Sequence, residues 1–196
     1  MIAAVLSLVG LVILVVAASQ TSDPYRIVSA TIFSSCLFLF YIVSSIYHTV
    51  RNPRTRYLFR ILDHAGIYLV IAGSYTPFTL VSLRSGNGWV LFSVVWGLAV
   101  AGAIFKSFMT ARLAFLAPVF YLALGWLIVV DLEGVLMMVP HHGVLWLFAG
   151  GLCYTVGIFF YAIERIPFNH AIWHLFVLAG STCHYFAVYY HVIPLG

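Results

Sequence analysis

Charged side chains are nearly missing from this sequence. Asp, Glu, Lys and Arg make up 7% of its 196 residues, where a soluble domain carries about a quarter. That shortage excludes a soluble enzyme, a disordered chain and a free nucleic-acid binder. Lysine occurs once, as Lys106 at a loop edge, which leaves no mid-membrane amine for a retinal-type Schiff base. The three cysteines, Cys36, Cys153 and Cys183, sit in separate apolar runs without a CxxC pair. They do not form a disulfide framework or a thiolate zinc site and read as small core residues. What fills the chain instead is 64% hydrophobic residues, the composition of a protein whose solvent is lipid.

A spanning helix needs ~20 mainly apolar residues. Runs of that length cover roughly 1–19, 27–50, 61–83, 88–106, 112–130, 144–163 and 169–192. The expected fold is an all-α integral membrane protein, a single seven-transmembrane-helix bundle over 1–196. The first run lacks a basic flank and is followed by comparable runs, so it reads as a helix and not as a signal peptide. The loops after the second, fourth and sixth runs hold Arg51, Arg54, Arg56, Arg60, Lys106, Arg112 and Arg165; the other loops hold Arg26 and Arg84. Lys and Arg favour the cytoplasmic side. The N-terminus is therefore expected in the cytoplasm and the C-terminus outside.

Helices in lipid associate through small residues, because lipid supplies no hydrophobic drive. Ala72-Gly73-Ser74, Ala179-Gly180-Ser181 and the Gly97/Ala101 pair are the expected contact points. Pro77 should kink the third helix, and Pro118 the start of the fifth.

Ionisable groups inside such helices are costly, so each asks for a reason. His170 and His174 are four residues apart and share one helix face. They open the seventh run, on the side the arginines mark as cytoplasmic. His48 ends the second run and Asp63 opens the third, at the same level. Three histidines suit a zinc ion that keeps a fourth position for water. Asp63 would accept a hydrogen bond from that water, and its expected place at a helix start favours its ionised form. Ser44 lies one turn before His48 on the same face. Alternatives stand beside each reading: an interhelical hydrogen bond for His48 alone, an ion pair with Arg56 or Arg60 for Asp63, and simple packing for Ser44. His184 lies about 15 Å deeper than His174, which suits a cavity wall or an interhelical hydrogen bond. His141 and His142, with Asp131 and Glu133, read as a solvated loop on the opposite side.

Three ordered motifs carry a family resemblance. Ser44 to His48 reads SxxxH. Asp63-His64-Ala65-Gly66-Ile67-Tyr68 is followed by Ala72-Gly73-Ser74-Tyr75-Thr76-Pro77. Pro167 to His184 contains HxxxHxxxxxxxxxH. Over essentially its whole length the chain resembles the bacterial haemolysin III branch of the progestin and adipoQ receptor family, which is similar to alkaline ceramidases. That resemblance implies seven helices in the bacterial inner (plasma) membrane. It implies zinc near the cytoplasmic side on His48, His170 and His174, with Asp63 and Ser44 as the motif aspartate and serine. Relatives carry a short polar segment before the first helix, whereas Met1 here stands inside that helix, which reads as a shortened start.

The first expected function is a zinc hydrolase of a lipid amide or ester, with Asp63 as general base and acid and the acyl chain of a lipid substrate, or a fatty acid, in a cavity of the bundle. The second is a non-enzymatic sensor or regulator of membrane fluidity with a structural zinc. The third is a pore-forming haemolysin, for which the chain lacks a separate charged amphipathic helix. Membrane lipids are the expected partners and nucleic acid is not.

Overall fold

The computed structural model describes residues 1–108, 116–163 and 165–194. Arg112 and the start of the run expected from 112 lie outside the described residues. The helices are α1 (Ile2–Ser19), α2 (Pro24–Thr49), α3 (Pro53–Pro77), α4 (Gly88–Phe108), α5 (Leu116–Gly125), α6 (Leu132–Met138), α7 (His141–Ala162) and α8 (Asn169–His191). A π-helical turn at Phe78–Ser82 continues α3, and a 3-10 turn at Leu127–Asp131 joins α5 to α6. The result is seven helical stretches long and apolar enough to cross a membrane, with no strand among the described residues.

The packing is that of a protein in lipid. Val5, Val9, Val12 and Val16 line an outward stripe of α1 and are about half exposed. Ser29, Ser34, Thr76 and Thr79 are buried. Water cannot satisfy a polar group at that depth, so these hydroxyls turn back on their own helices. Ser34 donates to the Ala30 carbonyl at 2.6 Å and Thr76 to Ala72 at 2.9 Å. Thr79, within the π-helical turn after Pro77 where the regular ladder is interrupted, donates to the Tyr75 carbonyl at 2.9 Å.

Two groups of helices form the bundle. In one, α1 packs on α2, α2 on α3 and α3 on α4; in the other, α7 packs on α8, and α5 touches both groups lightly. Close approach within the groups depends on glycine. A Cβ on Gly73 would press on Cys36 of α2, and one on Gly180 on the Tyr154 ring of α7. Both AGS triplets thus serve as expected. The Gly97/Ala101 pair does not: Gly97 has no neighbour within 4 Å of an added Cβ, and Ala101 is exposed. The close contact of α4 runs through Gly102, where a Cβ would collide with Tyr68.

Two boundaries move. The third helix begins at Pro53, not near 61, because Asn52 caps it by accepting from the backbone amides of Arg54 and Thr55 at 3.0 and 3.2 Å. Pro at the first helical position supports that start. Hydropathy marks where lipid begins, whereas the arginines continue the helix beyond it. Asp63 is therefore about three turns inside α3, and the helix-start argument for its charge does not hold. The fifth span continues through Met138 instead of ending near 130, and Asn87 ties its turn down by donating to Asp131 at 3.1 Å.

Candidate metal centre

The end of α2 and the start of α8 meet at one end of the bundle. His48 occupies the last turn of α2; His170 and His174 occupy the first turns of α8. The His170 Nε2 stands 3.3 Å from His48 Nε2 and 3.1 Å from His174 Nε2. One ligand atom from each of the three lies within 4.8 Å of the others. Nitrogens held ~2.0–2.1 Å from one tetrahedral ion stand about 3.3 Å apart. The spacing fits a metal with three imidazole ligands. Nitrogens facing one another are satisfied by a ring N–H of one donated to the next, or by a cation held between their lone pairs.

Asp63 is buried, and its Oδ1 has no hydrogen-bond partner in the protein. An orphaned carboxylate oxygen at this position calls for a donor. The Ser44 hydroxyl, itself buried, faces the same carboxylate as a donor, with the His48 and His170 rings nearby. The arginine alternative fails. Arg56 lies over the Tyr47 ring at 5.7 Å and Arg60 over the Tyr57 ring at 5.4 Å. Asp63 is also outside the three-histidine group.

A small polar cavity adjoins the histidines, lined among others by Asp63, His64, Lys106, Tyr161, His170 and His174. A second, mostly apolar cavity lies deeper, between α3, α5, α7 and α8, with about 970 Å³ of space between atoms, part of it open to the surroundings. Phe40, Ile67, Tyr121, Ile158 and Trp173 line both cavities. The polar chamber and the apolar cavity thus share a wall rich in aromatic rings, and such a pairing suits a molecule with one reactive polar end and a long apolar tail.

His184 lines the apolar cavity and meets the Leu147 carbonyl at 3.1 Å, so both readings offered for it hold. His64 turns its Nδ1 to the Arg60 carbonyl at 2.7 Å and still lines the polar chamber. His142 stacks on His191 at the far end of the bundle, away from any metal-type group among the described residues. Sequence reasoning passed over Tyr161, whose ring faces His170, and Tyr121, whose hydroxyl donates to the His64 carbonyl at 3.1 Å. Nothing in their apolar surroundings marks them. It also treated Lys106 as a loop charge, although it lines the chamber.

A family model described as Haemolysin-III related matches residues 1–185. The chain is similar to "Hemolysin-3" of Bacillus cereus, at 43% identity over 98% of this chain and 88% of that protein. It is similar to "Hemolysin-3 homolog" of Bacillus subtilis (strain 168), at 38% identity over 99% and 91%. A more distant similarity is to "Monocyte to macrophage differentiation factor" of Homo sapiens, at 30% identity over 86% of this chain and 72% of that protein.

Proposed function

The chain belongs to the Haemolysin-III related family of multi-pass membrane proteins, and from that premise and the histidine cluster we propose that it is a zinc-dependent hydrolase of lipid amide or ester bonds, acting in membrane lipid homeostasis. The observation that supports this best is the approach of three imidazole nitrogens beside a buried carboxylate oxygen that lacks a partner.

His48, His170 and His174 would hold zinc, which in a three-histidine set supplies Lewis acidity and lowers the pKa of a water to about 7. Asp63 accepts the proton that the water loses and returns it to the leaving nitrogen or oxygen. The acyl C–N or C–O bond breaks, the water oxygen joins the acyl carbon, and a fatty acid departs with an amine or alcohol. Ser44 orients the Asp63 carboxylate. The polar chamber holds the scissile group and the apolar cavity the acyl tail. The excess of arginines on the loops beside this end supports a cytoplasmic place for the chemistry. In the test, purified zinc-loaded protein is offered a panel of lipid amides and esters. Fatty acid should be released, and His48→Ala should abolish release. No release across the panel, or equal release by the variant, overturns the proposal.

The regulator reading draws support from the cluster's position, because it bridges α2 to α8. A structural zinc is normally closed by a fourth protein ligand. Asp63, the carboxylate offered for that role, is not a member of the three-nitrogen group among the described residues, which favours the open, catalytic reading.

A further inference from the structure

Resting on the acyl-tail role given above to the apolar cavity, we infer that His184 is a specificity residue that reads a hydrogen-bond donor set partway along the tail, so that hydroxylated fatty-acyl lipids are the preferred ligands. The imidazole is buried in the wall of that cavity. Its Nε2 edge is pressed against α7, where a Cβ on Gly150 would collide with it. Nε2 meets the Leu147 carbonyl at 3.1 Å. A carbonyl only accepts, so Nε2 carries a ring proton.

That contact decides the other nitrogen. No carboxylate lines the cavity to balance an imidazolium, and an unpaired charge at this depth is costly. The ring is therefore the neutral tautomer, with Nδ1 a bare acceptor. Nδ1 is buried and has no hydrogen-bond partner in the protein. The hydroxyls of Ser74, Tyr75, Tyr121, Tyr154 and Thr155, which also line the cavity, all have protein partners. None is left to serve Nδ1. The missing partner has to be a donor, and we assign it to the cavity's occupant. His184 is ten residues beyond His174 on α8, about 15 Å along the axis. A ligand whose carboxyl or acyl group lies at the histidine cluster reaches this depth with the middle of its chain. A mid-chain hydroxyl meets the requirement; an unsubstituted chain leaves Nδ1 unpaired, at a cost.

The test compares oleate with ricinoleate, the same chain bearing a mid-chain hydroxyl, by displacement of a fluorescent fatty acid from the full-length, zinc-loaded protein in lipid nanodiscs. Ricinoleate should bind about tenfold more tightly, the difference made by one buried hydrogen bond and the desolvation it relieves. In His184→Phe the preference should be lost and the two should bind alike. Nitrogen NMR of histidine-labelled wild-type protein provides a second readout that needs no variant: the Nδ1 signal of His184 should move with ricinoleate and not with oleate. Equal affinities in the wild type, a preference that survives His184→Phe, or an unmoved Nδ1 signal overturns the inference and leaves the hydrolase reading standing. If neither fatty acid binds, both fail.

Discussion

His170 and His174 stand on the same helix as His184, yet the two places have opposite characters. At the start of α8 the histidine nitrogens face other histidine nitrogens, and the group could hold a metal ion. Ten residues further on, the same side chain faces a backbone carbonyl and keeps one acceptor for a visitor. The residue type does not decide the role. What stands opposite the second nitrogen does, and α2 and α7 control that from either side. In the proposed function the histidines facing α2 serve chemistry, and the one against α7 serves recognition.

The largest effect should come from breaking the first place alone. His170 is the middle ring, within hydrogen-bonding distance of both others. His170→Ala should abolish zinc retention through purification, measured as zinc per protein by elemental analysis, together with hydrolysis. His184→Phe should keep its zinc. Equal zinc content in the two variants would erase the distinction. Next, Asp63→Asn should keep the metal and lower the rate by about 10²–10⁴, the span for loss of a general base. A variant that loses zinc as well would make Asp63 a ligand.

Smaller effects sharpen the contrast. Gly150→Ala puts a methyl group where the His184 ring lies. It should destabilise the protein by about 1–3 kcal/mol, the usual cost of overpacking, read as thermal unfolding in detergent, without disturbing zinc content. Ser44→Ala removes the donor that faces Asp63. It should lower the rate by about tenfold with zinc unchanged, the scale of an outer-shell loss.

The seven spans and the convergence of His48, His170 and His174 were legible because both follow from one-dimensional signals. Apolar length sets the spans, and arginines in the loops set which histidines share a depth. The start of α3 was also written in the chain, as Asn52 before Pro53, but the cap lies among arginines that a hydropathy reading takes for a loop. The choice of Gly102 over Gly97 as the contact of α4 was not legible, since it depends on the rotation of a helix that is apolar on every side. For the same reason Tyr121 and Tyr161 could not be told from lipid-facing aromatics. The fate of Asp63 turned on Arg56 and Arg60 reaching for tyrosine rings instead, a contest between near neighbours that spacing alone leaves open.

The most direct measurement is anomalous scattering at the zinc absorption edge from crystals of the purified protein. A single strong peak should appear among the Nε2 atoms of His48, His170 and His174, with Asp63 near it but not bonded. No peak there in zinc-replete crystals, or a peak held by other residues, would contradict the site on which the proposed chemistry depends.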